Sequence, residues 1–231
     1  MADASSRSAP ISVEDLDRAR SLARALLNIE AVSLRPHDPF TWSSGRVAPI
    51  YCDNRRTLAH PRIRRVIAEG FADIIRDSTS GSLTIAGTAT AGIPHAAWLA
   101  EQLEAPMAYV RSSAKEHGQG RRIEGTRLNA DDAVIIVEDL VSTGASALGA
   151  VSAVQETGAT VRAVLTIFTY QLDVATAAFR DAEVPCHALT DFHVLLETAR
   201  RHRAFSEEDF SILKAWREDP TAWSDEHDGA G

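Results

Sequence analysis

The sequence has few of the features that would assign it to several broad classes of protein. It contains only two cysteines, Cys52 and Cys186, which cannot build a disulfide framework. No apolar run approaches membrane-spanning length, and the Ala- and Ser-rich start has no apolar core like that of a signal peptide. These absences argue against a disulfide-rich scaffold and a membrane protein, and they predict a cytoplasmic location.

Positive charge is also scarce, because 24 basic residues face 32 acidic ones and the formal net charge is −8. A charge of this sign argues against nucleic-acid binding as the main function. No Gly-x-Gly-x-x-Gly motif follows a predicted strand. The loop 87–92 has the glycine spacing of a Walker A motif, but Ile93 and Pro94 stand where that motif needs Lys and Ser or Thr. The sequence thus lacks both common nucleotide-binding fingerprints.

The length of 231 residues suits one α/β domain with a small appended lobe. We predict a disordered tail over residues 1–11, a single domain over 12–223 whose hood comes largely from 12–60, and a flexible tail over 224–231. Hydrophobic periodicity predicts helices over 13–29, 61–76 and 93–103, strands over 83–86 and 106–111, and a helical segment ending near Ala215. The first helix is predicted to begin at Ser12, with Asp15 as its capping-box acid.

The most informative segment is a predicted strand, loop and helix over residues 134–158. The apolar run from Val134 to Val137 predicts a buried strand that ends in two carboxylates, Glu138 and Asp139. A helix is predicted from the apolar spacing of Ala147, Ala150, Val151 and Val154, and a second strand over 161–168 closes a βαβ unit. The loop in such a unit lies at the carboxyl edge of a parallel sheet, where open α/β folds bind ligands.

The loop residues combine two chemical preferences. The run 142–146 offers hydroxyls and backbone N–H groups at a helix start, which suit a phosphate monoester. Glu138 and Asp139 would repel a phosphate, so they should bind hydroxyls, a metal ion or both. A ribose 5-phosphate satisfies both demands. The alternative is a capped helix with a solvated acidic turn.

The segment 137–146, Val-Glu-Asp-Leu-Val-Ser-Thr-Gly-Ala-Ser, resembles the signature of the type I phosphoribosyltransferases, which bind 5-phosphoribosyl 1-pyrophosphate (PRPP). Four further segments, at 39–45, 49–55, 85–94 and 109–118, make the chain similar to the orotate phosphoribosyltransferases within that family. The similarity runs from about Ala19 to Trp223. It implies an α/β fold with a central, mainly parallel sheet flanked by helices and a small N-terminal hood lobe.

The resemblance also implies an activity. It predicts transfer of the phosphoribosyl group of PRPP to N1 of orotate, which gives orotidine 5′-monophosphate and pyrophosphate in pyrimidine biosynthesis. It implies Mg²⁺ as cofactor, held mainly by PRPP, with no protein ligand assigned. Ser142 is implied to contact orotate as well as PRPP. The PRPP-binding residues implied are Arg111, Lys115, His117, Glu138, Asp139, Leu140, Val141, Ser142, Thr143, Gly144, Ala145 and Ser146.

Two further loops are candidates for the pyrophosphate half of PRPP. One follows the strand predicted at 83–86, and its alternative is a simple tight turn; its candidate residues are Thr88, Ala89, Thr90, Ala91 and Gly92. The other is the basic, glycine-containing segment 111–130, which is too long for an ordinary connection and is predicted to be a lid rather than a solvated surface loop. The resemblance implies catalytic roles for Arg111, Lys115 and His117, and a homodimer in which this lid closes over the neighbouring site.

The chain departs from the family pattern at a few positions. Many orotate enzymes have lysines at the positions of Ser43, Ala91 and Ser112, and an arginine that contacts orotate at the position of Tyr170. Arg46, Arg55 or backbone amides are alternative partners for the orotate carboxylate on chemical grounds. Two other functions stay open, namely a phosphoribosyltransferase for another base and a non-catalytic PRPP-sensing regulator; the acidic net charge disfavours the second.

Overall fold

The computed structural model describes residues 13–42, 44–76, 83–112, 122–202 and 205–227. The helices of this part of the chain are α1 (Val13–Asn28), α2 (Pro61–Ile75), α3 (Gly92–Leu103), α4 (Ala145–Gln155), α5 (Asp173–Asp181), α6 (Phe192–His202), α7 (Glu207–Glu218) and α8 (Pro220–His227). Its strands are β1 (Val32–Leu34), β2 (Phe40–Thr41), β3 (Val47–Ala48), β4 (Ile50–Cys52), β5 (Leu83–Thr88), β6 (Met107–Val110), β7 (Ile123–Gly125), β8 (Ala133–Val141), β9 (Thr160–Thr169) and β10 (Cys186–Asp191). No helix among these residues is long and apolar enough to cross a membrane.

A six-stranded sheet in the order β10-β9-β8-β5-β6-β7 forms the centre of the molecule. Its strands pair in parallel except β7, which is antiparallel to β6 at one edge. The central strands β5, β8 and β9 are almost continuously buried, as expected for parallel strands covered on both faces. The prediction of a mainly parallel sheet flanked by helices is therefore confirmed.

The two faces of the sheet carry separate hydrophobic cores. Val134 and Ile136 of β8 face a core that includes residues of α4 and α5. Ile135 and Val137 face the opposite core, which includes residues of α1, α2, α3, α6 and α7. This alternation follows from the two-residue repeat of a strand, and it determines where the next two side chains, Glu138 and Asp139, can point.

Strand β8 is longer than the apolar run that predicted it. It continues through the two acids to Val141, because Leu140 and Val141 still pair with Phe168 and Thr169 of β9. The two acidic residues therefore lie within the last part of β8, which is still paired with β9, and not in the loop after it. The predicted helix begins at Ala145 and ends at Gln155, and Gly158 adopts a positive φ of 89° in the turn that follows.

The small lobe beside the sheet combines the two ends of the described chain. Strands β1 and β4 pair with each other, and β2 pairs with β3. Helix α8 packs on β3, where Ser224 Oγ accepts a hydrogen bond from Val47 N at 2.9 Å and Thr221 Oγ1 accepts one from Arg46 at 2.7 Å. Helix α1 contacts α6 and β10 instead, so the segment predicted to supply the hood is divided between two layers.

The C-terminal part differs from the sequence-based expectation. One helical segment ending near Ala215 was expected, but three helices, α6 to α8, follow the sheet. Helix α8 extends to His227, so residues 224–227 of the predicted flexible tail are helical, and Ser224 is buried by its contact with β3. The predicted cap residue Ser12 lies outside the described residues.

Candidate active site

The strand order of the sheet locates a crevice for a ligand. From β5 the chain proceeds to β6 on one side, and it then returns to β8 on the other side of β5 before continuing to β9 and β10. The order thus reverses between β5 and β8, and open α/β sheets bind ligands at such a switch point, outside the carboxyl ends of the strands. The two loops that leave this point are 88–92, after β5, and 142–144, after β8.

The loop after β8 leads directly into α4. Gly144 precedes the helix with φ of 84°, and a Cβ there would lie 3.0 Å from the ring of Phe179. Glycine is therefore required both by the backbone conformation and by close packing. Gly144 has no side chain that could cap the helix, so the N–H groups of the first turn of α4 are available to bind an anion.

The exposure of the loop side chains separates them into two groups. Thr143, Ala145 and Ser146 are exposed, and Ser142 is half-buried at the start of the loop. Val141 is buried in the core on the α4 side, and Leu140 packs against the opposite core. Hence Leu140 and Val141, which the resemblance implied as PRPP contacts, can offer main-chain atoms but little side-chain surface.

Glu138 is held at the centre of the switch point. It is only 6 % exposed, and its Oε1 accepts hydrogen bonds from Thr88 Oγ1 at 2.6 Å and from the Asp139 N–H at 3.1 Å. Its Oε2 accepts one from Ser146 Oγ at 3.0 Å. Glu138 thereby joins the end of β5 to the first turn of α4, and both of its oxygens already have donors, as a buried carboxylate requires.

Asp139 is in a different environment, on the side of the small lobe. Burial, followed by the neighbouring charge of Glu138, raises the pKa of Asp139 to about 7. Its main-chain oxygen accepts a hydrogen bond from Asn54 Nδ2 at 2.6 Å. Burial, with Asp139 and Asp53 as the next causes, likewise raises the pKa of the Cys52 thiol well above its usual value. The segment after β4 therefore lies against the end of β8.

The loop 88–92 lies beside the loop 142–144 because β5 and β8 are neighbours. The hydroxyl of Thr88 is buried and already bonded to Glu138. Thr88 therefore stabilises the site from within and does not present its side chain to a ligand. Thr90 is exposed, and Ala89 and Ala91 are half-buried. A Cβ at Gly92 would lie 2.3 Å from the Val137 oxygen, so only glycine permits this approach to β8.

Arg111 follows β6 at the same edge of the sheet. Its Nη1 donates to Glu124 Oε1 of β7 at 3.2 Å, and Tyr109 donates to Glu124 Oε2 at 2.9 Å. Arg111 is thus bound to the antiparallel edge in this conformation and must exchange partners to reach a ligand at the switch point. Lys115 and His117, predicted to act with it, lie outside the described residues.

The positions at which the chain departs from its family have distinct surroundings. Tyr170 is 2 % exposed and packs between Trp42 and Trp216, with ring centroids at 5.7 and 5.4 Å. It therefore belongs to the core and does not present its ring to the crevice. Ser112 is exposed, whereas Ser43 lies outside the described residues.

Two arginines of the small lobe are candidate partners for the orotate carboxylate. Arg46 donates to Thr221 of α8, which directs it to the C-terminal helix. Arg55 is 62 % exposed in its side chain and bonds to Asp53 at 2.5 Å, next to the Asn54 that contacts β8. Tyr51, which is 39 % exposed, precedes this segment on β4. Of these two arginines, Arg55 is therefore the one adjacent to the crevice, and it must exchange Asp53 for a ligand to act there.

Sequence reasoning missed the two hydrogen-bonded connections that organise the site. The Thr88–Glu138–Ser146 connection joins both loops, and the Asn54–Asp139 bond joins the small lobe to β8. The sequence predicts Thr88 as a possible pyrophosphate-loop residue, and the resemblance implies Ser146 as a PRPP contact; neither prediction includes their hydrogen bonds to Glu138. Only the alternation of side chains along β8 could have indicated that Glu138 turns towards them.

The site as a whole can bind a phosphorylated, polyhydroxylated ligand. It offers an uncapped helix start for a phosphate, a carboxylate for hydroxyls, and a second loop with backbone N–H groups at the neighbouring strand. Among the described residues, no group of three or more His, Cys, Asp or Glu side chains could hold a metal ion. No nucleophile and base are paired at this edge within the part of the chain that the structure describes, and that part offers groups for positioning and electrostatic stabilisation.

Comparisons with known proteins agree with a site for a phosphorylated, polyhydroxylated ligand. A family model described as "Phosphoribosyl transferase domain" matches residues 54–180, from the buried Asn54 to the last turn of α5. The chain is 51 % identical over 204 residues to the orotate phosphoribosyltransferase of Halalkalibacterium halodurans. The aligned region covers 88 % of this chain and 97 % of that protein.

Solved structures are also similar. The orotate phosphoribosyltransferase of Aeropyrum pernix superposes with a TM-score of 0.68 at 30 % identity, over 78 % of this chain and 98 % of that one. The Mycobacterium tuberculosis orotate phosphoribosyltransferase in complex with PRPP gives a TM-score of 0.59 at 26 % identity, over 78 % and 98 % of the two chains.

Proposed function

The chain belongs to the orotate phosphoribosyltransferase family, and we propose that the switch point between β5 and β8 is the site at which it transfers the phosphoribosyl group of PRPP to orotate. The observation that supports this site best is the contrast at the end of β8: an uncapped helix start lies beside two carboxylates of different character. One ligand that needs a phosphate site and a diol site together is a ribose 5-phosphate.

In this proposal the 5-phosphate of PRPP binds the loop 142–144 and the first turn of α4. The exposed hydroxyl of Thr143 and the N–H groups of the helix start, including that of Ser146, donate to its oxygens, while the Ser146 hydroxyl remains bonded to Glu138. Asp139 accepts hydrogen bonds from the ribose hydroxyls, while Glu138 keeps the two loops in register. Ser142, half-buried between loop and strand, borders the pyrimidine side.

The pyrophosphate group extends towards the loop 88–92, where the exposed Thr90 hydroxyl and the main-chain N–H groups of Thr90 and Ala91 are the candidate donors, since the Ala89 N–H is bonded to the Val110 oxygen at 2.8 Å. As the bond to ribose C1 breaks, negative charge grows on the leaving oxygens. Cations that approach at that stage stabilise the transition state more than the ground state. We assign this role to Arg111, Lys115 and His117, with Arg111 leaving Glu124 as the lid closes.

Orotate binds on the side of the small lobe. Its carboxylate needs a cation, and Arg55 is adjacent to the crevice, with an exposed side chain that forms an ion pair with the half-buried Asp53. Tyr51 on the neighbouring strand offers a partly exposed ring to a flat pyrimidine. This arrangement explains how the chain can dispense with an arginine at Tyr170.

The site residues fit a magnesium ion carried by the donor. Mg²⁺ retains waters and binds one or two carboxylates together with substrate phosphates. Two adjacent carboxylates, one with a pKa raised to about 7, form an environment in which a nearby cation would relieve repulsion. Bound Mg²⁺ would neutralise charge on the pyrophosphate, and the carboxylate of Asp139 would favour its binding by charge.

Pyrophosphate release tests the proposed function and its base specificity together. Purified protein is incubated with Mg²⁺ and PRPP, and release is compared for orotate, uracil, hypoxanthine, xanthine and adenine. Release with orotate alone is expected. Release with a different base would support the proposed site but show that orotate is not the substrate. Binding of PRPP without release for any base would support the PRPP-sensing regulator instead. Omission of Mg²⁺ with added EDTA measures its requirement in the same assay.

The dimeric lid can be tested by complementation between subunits. Lys115→Ala and Asp139→Asn variants are coexpressed with different affinity tags, and the mixed dimers are isolated. If the lid serves the neighbouring site, each mixed dimer has one intact site, and activity rises to about half of the wild-type value per dimer. Mixed dimers as inactive as both parents would show that each lid serves its own subunit.

A further inference from the structure

We propose that Asn54, Thr57 and His95 are positioning residues for donor binding, joined in a buried hydrogen-bonded path that fixes the main chain at Asp139 relative to the start of α3. The inference rests on the proposed donor site at Asp139. None of the three side chains can touch the substrate in this conformation, because Asn54 and His95 are 1 % exposed and Thr57 is fully buried.

The first hydrogen bond of the path holds β8 where its pairing with β5 has ended. Strands β5 and β8 pair from Leu83 and Ala133 up to Gly87 and Val137, two residues before Asp139. Beyond that pair, the Asn54 side chain donates to the main-chain oxygen of Asp139 at 2.6 Å. The end of β8 is thus held from the small-lobe side by one side-chain amide.

The second connection reaches the helix that follows the pyrophosphate loop. Thr57 Oγ1 donates to the main-chain oxygen of Asn54 at 2.6 Å, so its only proton is used there. His95 Nε2, 3.3 Å from the same hydroxyl, must therefore be the donor in that contact. His95 lies in the first turn of α3, directly after the loop 88–92. The path consequently joins the diol side of the site to its pyrophosphate side.

Within the part of the chain that the structure describes, the path contains buried polar atoms without partners, and burying such atoms costs free energy, so its polar residues need an explanation other than packing. Asn54 Oδ1 and His95 Nδ1 are buried without a hydrogen-bond partner among the described residues. Apolar side chains would join the same elements without unpaired polar atoms, so packing alone does not explain these residues. Burial, followed by the charge of Arg64, lowers the pKa of His95 to about 4, which keeps the path uncharged at neutral pH.

The test uses variants that remove one hydrogen bond of the path. They are compared with a variant that retains this hydrogen bond and with one that removes a hydrogen bond in another part of the protein. Thr57→Val deletes the hydroxyl without changing the side-chain shape, and Thr57→Ser restores the hydroxyl. Asn54→Asp replaces the donor with an acceptor of the same size. Thr198→Val is the control, because Thr198 is also buried and donates to a main-chain oxygen, but it lies in α6. Turnover, the KM values for PRPP and orotate, and the melting temperature are measured for each.

We expect Thr57→Val and Asn54→Asp to raise the KM for PRPP about fivefold, the effect of one lost hydrogen bond, while the KM for orotate stays within about twofold. Thr57→Ser should return the KM for PRPP to the wild-type value. Thr198→Val should change only the melting temperature. The inference is overturned if Thr57→Val behaves like Thr198→Val, or if both KM values rise together. An unchanged KM for PRPP in Asp139→Asn would instead refute the donor site itself.

Discussion

The two sides of strand β8 differ at its carboxyl end, although the residues that face them are adjacent carboxylic acids. On the α4 side, Glu138 accepts hydrogen bonds from Thr88, Ser146 and a main-chain N–H. On the small-lobe side, burial and the charge of Glu138 raise the pKa of Asp139 to about 7. The carboxylate is therefore fully hydrogen-bonded on one side, whereas its charged form is disfavoured on the other.

This difference suggests a division of roles within an acidic pair. Because Glu138 already has donors on both oxygens, binding a ligand through it would require breaking contacts that hold two loops together. Asp139 gains most when hydroxyls or a cation approach, since these partners favour its charged form. A pair that appears as one motif in the sequence thus comprises a structural anchor and a ligand-binding group.

Asp139→Asn should have the largest effect on catalysis. Loss of the charge weakens its hydrogen bonds to the ribose hydroxyls, so we expect kcat/KM for PRPP to fall about 100-fold, corresponding to roughly 2–3 kcal/mol. Steady-state kinetics at saturating orotate measure the change. Asp132→Asn is the control, because Asp132 lies just before the other end of β8 and bonds to Asn129. Equal losses in the two variants would contradict the assignment.

The pH dependence of stability provides the second contrast. The folded-state pKa of Asp139, about 7, lies above the unfolded value of ~3.9, so its protonated form favours the folded state. This contribution is complete below about pH 4 and is lost as the pH rises through 7, by roughly 2 kcal/mol after allowance for solvent screening. Urea denaturation of wild type and Asp139→Asn between pH 4 and 8 measures the difference. Parallel profiles for the two proteins would contradict the raised pKa.

Glu138→Gln should change stability in the opposite direction to Asp139→Asn. The amide has one donor end, so it cannot accept from all three groups, and its bonds lose the assistance of charge. We expect a loss of about 1–2 kcal/mol of unfolding free energy at pH 8, where Asp139→Asn should increase stability. Denaturation of both variants at that pH tests the contrast. A stabilised Glu138→Gln protein would mean that Glu138 is not the anchor.

Much of this arrangement could be predicted from the sequence, because the pattern that reveals the βαβ unit is local. The run Val134 to Val137 predicted the central strand, and the apolar spacing after Ala147 predicted the helix. The end of β8 was misjudged because Glu138 and Asp139 interrupt the apolar run, although main-chain pairing with β9 continues past them. Strand pairing does not depend on side-chain polarity, so the hydrophobic pattern underestimates such strands.

The contacts between distant segments could not be predicted in the same way. Asn54 and Asp139 are 85 positions apart, and Val47 and Ser224 are 177 apart. Neither pair has a periodic signal, since each contact depends on how complete layers pack. Ser224 illustrates the consequence: its polar, acidic surroundings in the sequence predicted a flexible tail, whereas the small lobe provides a partner that makes the segment helical.

The smallest effect that follows from the comparison concerns Cys52, which lies on the Asp139 side. Burial is the main cause of its raised pKa, and the charge of Asp139 is the next. Asp139→Asn should therefore increase the thiolate fraction, and we expect alkylation of Cys52 by iodoacetamide at pH 8.5 to accelerate about threefold. Cys186 is the internal reference, because its pKa is raised to about 12 by burial alone. Peptide mass spectrometry gives both rates from one reaction, and an unchanged ratio between them would show that the charge of Asp139 does not reach the thiol.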